Sequence, residues 1–229
     1  MVKNSNIKLI ISDIDGTLLE YVTLKDIVME SLDFFNIPRN DKYYDMQCTG
    51  VAAALTEAAK EKIFSFERLC YYWQEHLLFL KDYNIKVEDF ASKMISLEAK
   101  YSQEIPNVNK TLEALREDYN RIICSTNWLH ESQKTKLEKL NIDKHIDKIY
   151  TCEDSYAKPN PKHFEFILEA ENVTPQDVIM IGDSFADISA SQIGIRTIFL
   201  DRDKNKQAIY PYSTFVVNDF EEIKHILKK

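Results

Sequence analysis

The sequence predicts an α/β protein, a doubly wound, Rossmann-like parallel sheet with an all-α lobe inserted after its first strand. Three observations carry that expectation. The apolar run Ile7-Lys8-Leu9-Ile10-Ile11-Ser12 stops abruptly at Asp13-Ile14-Asp15-Gly16-Thr17, as a buried parallel strand does at its turn. After Pro106, short apolar runs alternate with helical patterns, the rhythm of right-handed βαβ units. Between about residues 19 and 103 there is helical spacing and no strand-like run. The expected division is therefore a core of residues 1–18 and 104–229 and an all-α lobe of residues 19–103.

The elements follow in order. From Thr23 to Phe35, apolar residues recur at helical spacing (Leu24, Ile27, Val28, Leu32, Phe35), and Pro38 ends that helix. Asn40 or Asp41 suits the cap of the next helix, and Ala52 to Lys60 is alanine-rich and helical. Phe66 to Tyr83 and Val87 to Tyr101 carry further helical stripes. The aromatics Tyr71, Tyr72 and Trp73, with His76, read as the core of the lobe. In the second part, strands are expected at Arg121–Ser125, Lys148–Cys152, Val178–Ile181, Arg196–Leu200 and Thr214–Val217. Helices are expected at Asn109–Glu117, Leu129–Leu140, Pro161–Asn172, Phe185–Ile193 and Phe220–Leu227. Pro161 fits a first helical turn and Gly194 a helix end.

Composition narrows the function. With 229 residues and 45% apolar content, the chain can bury a sizeable core. Its 29 Lys and Arg against 37 Asp and Glu give a net charge of −8, which argues against nucleic acid or an anionic membrane as partner. No apolar leader and no run of about 18 apolar residues occur, so a cytoplasmic protein is expected. The cysteines Cys48, Cys70, Cys124 and Cys152 form no C-x-x-C pair and read as reduced thiols. His145 and His163 have no ligand-like spacing and read as structural or exposed.

The chemistry stands at the strand ends, where open parallel sheets place their ligands. The first run ends in Asp13-Ile14-Asp15-Gly16-Thr17, the second in Ser125-Thr126-Asn127, and the third is followed by Lys158-Pro159. The fourth ends in Gly182-Asp183-Ser184-Phe185-Ala186-Asp187. Four carboxylates, an ammonium and several hydroxyl and amide donors suit a phosphate with a divalent cation. A phosphate monoester repels an attacking carboxylate, so transfer depends on charges that offset the repulsion. Mg²⁺ prefers oxygen ligands, and Asp13 and Asp183 can supply them. Lys158 adds positive charge, while Thr126 and amides of a helix beginning near Asn127 can donate to phosphate oxygens. Asp13 is the expected nucleophile, and Asp15 can protonate the leaving alkoxide and then deprotonate water. Ser125 competes with Thr126 for the phosphate.

These residues resemble the haloacid dehalogenase-like (HAD) superfamily over nearly the whole chain. Asp13-Ile14-Asp15-Gly16-Thr17, Thr126-Asn127, Lys158-Pro159 and Gly182-Asp183-Ser184 with Asp187 look like its four motifs in order. Ala186 stands where the family often carries Asn. The resemblance implies Mg²⁺ held by Asp13, the Asp15 carbonyl and Asp183, with Asp187 nearby. It implies phosphate binding by Gly16, Thr126, Asn127 and Lys158. It also identifies the inserted lobe with the α-helical cap of one subgroup, and Pro106 to Glu117 with the return to the core. Related caps place a substrate-facing loop near Cys48-Thr49-Gly50, which makes Gln47 and Thr49 candidate specificity residues.

The resulting expectation is a Mg²⁺-dependent phosphatase acting on a small phosphorylated metabolite (a nucleotide, a sugar phosphate or phosphoglycolate) through an aspartyl-phosphate on Asp13. The rivals are a phosphomutase on the same scaffold and a non-catalytic binding module. Monomer and homodimer are both compatible with the sequence.

Overall fold

The computed structural model describes residues 7–62 and 64–227; the remaining positions, including those assigned above to the two ends of the core, lie outside the described residues. Six strands form one parallel sheet: β1 (Leu9–Ser12), β2 (Ile122–Thr126), β3 (Lys148–Thr151), β4 (Val178–Gly182), β5 (Arg196–Leu200) and β6 (Phe215–Val217). Their order is β3-β2-β1-β4-β5-β6. The chain thus winds outward in one direction from β1 and then in the other. The direction switches between β1 and β4, and a crevice opens at such a point.

Side chains alternate across the sheet. Ile10, Ile122, Ile179 and Ile181 face α5 (Val108–Arg116) and α9 (Ile223–Leu227). Leu9, Ile11, Ile123 and Met180 face α7 (Pro161–Glu171). Both faces are covered, which explains why the strands read as unbroken apolar runs.

Between β1 and β2 the chain makes α1 (Leu24–Phe34), α2 (Asp41–Lys60), α3 (Phe66–His76) and α4 (Val87–Tyr101). They bury a separate cluster that includes Leu32, Leu69, Trp73 and Phe90. Leu129, Cys152 and Ala157, which follow β2 and β3, join that cluster and seat the helices over the carboxyl edge of the sheet.

Several elements differ from the sequence expectation. Helix α2 is capped by Asn40 as expected, which accepts from the Lys42 amide at 2.9 Å, but it runs unbroken from Asp41 through Ala52 to Lys60 instead of leaving a loop between. The expected helix Phe66–Tyr83 breaks at Leu77 into α3 and a 3₁₀ segment, Leu78–Tyr83. Three residues per turn put Leu77 and Leu80 on one edge, and both are buried. Phe185–Ile193 divides into α8 (Phe185–Ile188) and a 3₁₀ turn. There the Ser189 hydroxyl donates to the Ala186 carbonyl at 2.6 Å, competing with the backbone ladder. Phe220–Leu227 begins as 3₁₀ and continues as α9. In this glycine-poor chain, Asn36, Asn84, Asn107, Asn141 and Asn172 take the left-handed conformation, which asparagine tolerates better than most residues. All four cysteines are unpaired.

Candidate active site at the carboxyl edge of the sheet

The register of β1 against β4 pairs Ser12 with Ile181. One step further, the Asp13 amide donates to the Ile181 carbonyl at 2.8 Å, and Asp13 comes to lie beside Asp183. Asp13, Asp183 and Asp187 are all buried and offer oxygens within 4.8 Å of one another. Asp187 is held by the Ser184 hydroxyl at 2.5 Å and the Ser184 amide at 3.1 Å. The turn after β1 needs Gly16: its φ is +88°, and a Cβ there would meet Asp183 and Tyr21 at 2.6 Å. At Gly182 a side chain would collide with Asp187.

Lys158 neutralises part of this charge. Its Nζ donates to Asp13 Oδ1 at 2.8 Å, to Asp187 Oδ1 at 2.5 Å and to the Ser125 carbonyl at 2.8 Å. Burial alone would lower its affinity for a proton, but Asp13 and Asp187 outweigh that and hold it above its ordinary value. Burial and then the Asp187 carboxylate push the Asp13 carboxyl well above the usual range, against the pull of Lys158. Asp183 is raised by burial and Asp187 too, although Lys206 Nζ (3.0 Å) and the Tyr21 hydroxyl (3.0 Å) donate to it. Three crowded carboxylates with one lysine between two of them carry excess negative charge. That hard oxygen set fits a Mg²⁺-like cation, which would relieve the repulsion.

The Asp15 side chain points elsewhere. Lys136 Nζ donates to its Oδ1 at 2.7 Å and Gln133 Nε2 to its Oδ2 at 2.6 Å. Gln133 Nε2 also lies 2.7 Å from Thr126 Oγ1, so Asp15 and Thr126 share one amide. Lys136 in turn stands 4.0 Å from Glu98 on α4. Glu98 accepts from the Trp128 indole at 2.8 Å and from the Ser132 hydroxyl. Burial raises the Glu98 carboxyl, against the attraction of Lys136.

Gln133, Lys136 and Glu98 were absent from the sequence expectation. The structure shows what the sequence did not: α6 (His130–Lys139) buries Ser132, Gln133, Lys136 and Leu137. Three of the four positions on its inner face are polar, and polar groups are placed inside only when something pairs them.

The second strand end also resolves. The Ser125 hydroxyl lies 2.8 Å from His163 Nε2, and His163 Nδ1 lies 2.6 Å from the Tyr156 carbonyl. The second contact requires a proton on Nδ1, which leaves Nε2 to accept from Ser125. Burial and then Lys158 push the His163 imidazolium down to about 3. Ser125 is thereby engaged, whereas Thr126 lines the chamber described below. Asn127 uses its amide on the backbone of Lys158, accepting from the nitrogen and donating to the carbonyl at 2.7 Å each. Helix α6 spans His130–Lys139, close to the expected Leu129–Leu140, so its first amides come after Asn127 and not at it.

A chamber of about 410 Å³ opens over these groups, a volume in the range of small-molecule sites. Asp13, Asp15, Thr126, Asn127, Lys158 and Asp187 line its sheet side. Gln47 lines it from α2, but Thr49 does not. The expected loop at Cys48-Thr49-Gly50 is the middle of α2. Helical rotation turns Thr49 to solvent, where its hydroxyl donates to the Asp45 carbonyl at 2.9 Å. Among the described residues, no helix is long and apolar enough to cross a membrane.

Residues 7–192 match the family model of haloacid dehalogenase-like hydrolases, and the chain belongs to that family. It is 25% identical to the glyceraldehyde 3-phosphate phosphatase of Pyrococcus furiosus, over 97% of this chain and 94% of that one. It is 27% identical to the phosphoglycolate phosphatase of Aquifex aeolicus, over 81% of this chain and 80% of that one. Among solved structures, the HAD-hydrolase YfnB of Bacillus subtilis, bound to magnesium, superposes with a TM-score of 0.76 at 18% identity. That match covers 98% of this chain and all of YfnB.

Proposed function

We propose that this chain is a Mg²⁺-dependent phosphatase that hydrolyses a small phosphorylated metabolite through an aspartyl-phosphate on Asp13. The observation that carries the reading is the placement of Asp13. It lies at the sheet's switch point between Lys158 and the Asp183–Asp187 pair, with a chamber above it. The named phosphatases among the relatives support the same reaction class.

In this reading an Asp13 oxygen attacks phosphorus, the bond to the leaving oxygen breaks, and Asp15 delivers a proton to that oxygen. Water then attacks the phosphoryl group, Asp15 takes its proton, and inorganic phosphate leaves with Asp13 restored. Lys136 and Gln133 fix the orientation of Asp15. Thr126 and Lys158 meet the phosphate oxygens, Gly16 lets the chain turn close against Asp183 and Tyr21 without lining the chamber itself, and Asn127 holds the Lys158 backbone in place. Asp13 and Asp183, with the Asp15 carbonyl and Asp187 beside them, would hold Mg²⁺, which would supply positive charge against the phosphate oxygens. The helices of residues 19–103 act as a cap that excludes bulk water.

Hydrolysis of p-nitrophenyl phosphate tests this. Turnover is expected to require Mg²⁺ and to fall by at least about 10³-fold in Asp13→Asn, as loss of a nucleophile commonly does. Strong turnover in that variant, or in the presence of a chelator, would overturn the mechanism.

A further inference from the structure

The chamber's two sides differ in charge. On the sheet side stand the two cations that line it, Lys136 and Lys158. Both are engaged, Lys158 with Asp13, Asp187 and a carbonyl, and Lys136 with Asp15 and, at 4.0 Å, Glu98. The side formed by the helices and the segments next to them presents Val22, Leu24, Val51, Leu55 and the Trp128 indole. Glu98, a buried carboxylate, is set into the same wall. Gln47, Val51 and Leu55 recur every four residues along α2, so one helical stripe faces the chamber. Among the described lining residues, no arginine or additional lysine stands where the group esterified to the phosphate would lie.

Charge decides what such a wall accepts. The lining carboxylates Asp13, Asp15, Glu98 and Asp187 outnumber the lining ammonium groups Lys136 and Lys158. A divalent cation and a phosphate dianion would cancel each other and leave that balance unchanged. A second anionic group on the substrate would then be desolvated against hydrocarbon and the Glu98 carboxylate, and the cation beside Glu98, Lys136, is already paired with Asp15. An uncharged leaving group meets no such penalty. The hydrocarbon face of a sugar ring gains by burial against Trp128 and Leu55. Gln47, 1% exposed, keeps an Oε1 without a hydrogen-bond partner, an acceptor suited to a substrate hydroxyl.

We infer that the chamber selects phosphomonoesters of uncharged, hydroxyl-bearing, sugar-sized alcohols and rejects phosphates that carry a second anionic group. The inference rests on the phosphatase reading and narrows it.

The test is a comparison of kcat/KM with Mg²⁺ present. Ribose 5-phosphate, glucose 6-phosphate and glycerol 3-phosphate represent uncharged leaving groups; 2-phosphoglycolate, 3-phosphoglycerate and pyrophosphate represent anionic ones. The best uncharged substrate is expected to exceed the best anionic one by at least about tenfold, the equivalent of one unfavourable contact of roughly 1.4 kcal/mol. Val51→Arg places a cation on the helical wall and is expected to move that ratio at least about tenfold toward the anionic set. Leu55→Lys is the second variant should the first fail to fold. A ratio measured within one preparation is insensitive to the fraction of active protein. Equal or better turnover of the anionic set by the wild type, or no movement of the ratio in the folded variants, would overturn the inference while leaving the phosphatase reading intact. Failure to hydrolyse any of these compounds and p-nitrophenyl phosphate would overturn the phosphatase reading itself, and the inference with it.

Discussion

Two buried lysines hold the two aspartates of the opening motif, and they are built from different parts of the molecule. Lys158 follows β3 and pairs with Asp13 and Asp187, so all its partners belong to the sheet's carboxyl edge. Lys136 lies on α6, pairs with Asp15 and stands within 4.0 Å of Glu98 on α4. One lysine closes the Asp13 side of the site on itself. The other joins Asp15 to the inserted helices. The surroundings differ as well. The Asp13 and Asp187 side chains are 11% and 2% exposed, whereas Asp15 keeps 24% of its side-chain surface in contact with the chamber. The same charge pattern is therefore more deeply buried on one side, and more exposed and linked to the insertion on the other.

The largest expected effect breaks the closed side. Lys158→Met leaves two buried carboxylates facing each other, a loss expected to cost about 3–5 kcal/mol of stability. Urea unfolding at pH 7 measures it, and p-nitrophenyl phosphate turnover is expected to fall to background in the same variant. Lys136→Met is expected to be milder in stability, about 1–3 kcal/mol, because water in the chamber can still solvate Asp15. A larger loss at Lys136 than at Lys158 would reverse the contrast.

The second effect is kinetic. Without Lys136, Gln133 alone orients Asp15, and a misplaced proton donor slows the chemical step more than it weakens binding. A fall in kcat of about 10- to 100-fold with little change in KM is expected. Glu98→Gln keeps an acceptor for Trp128 but removes the charge near Lys136, and a fall in kcat of only about 3- to 10-fold is expected. If the two act as one unit, the double variant will be less impaired than the sum of the singles, with a coupling of about 0.5–1.4 kcal/mol. Strict additivity would mean that the insertion and Asp15 are independent.

The sheet-edge half of this comparison was readable in the sequence. Asp13, Lys158, Asp183 and Asp187 each follow an apolar strand run, and a period-two strand fixes what stands at its end. Ser125 and Thr126 are neighbours at one strand end and are both buried, so only their partners separate them: Ser125 bonds His163, while Thr126 bonds Gln133 and lines the chamber. The helical half was less readable. Gln133, Lys136 and Glu98 occupy helix faces where polar residues ordinarily meet water, and only tertiary packing turns those faces inward. Thr49 illustrates the converse: the resemblance to related caps implied a loop there, but Asn40 starts a helix that runs through it. The divisions of helices at Leu77 and Ser189 likewise depend on local packing and side-chain competition.

The smallest expected effect sharpens the closed side from beneath. His163 backs Ser125, whose carbonyl accepts from Lys158. Its folded value of about 3 lies below the ordinary 6.5. The sign follows from linkage: below pH 6.5 the unfolded chain gains a proton that the folded chain refuses, so stability falls as pH drops toward 3. Well below pH 6.5 the slope from this one group approaches about 1.4 kcal/mol per pH unit. His163→Leu is expected to be less stable than the wild type at pH 7, because Ser125 loses its acceptor. That gap should narrow as the pH is lowered from 7 to 5, since the variant lacks the group that refuses the proton. Urea midpoints at pH 7, 6 and 5 measure it. A gap that stayed constant would mean that His163 takes up its proton in the folded state. The layer under Lys158 would then be as open to water as the Asp15 side.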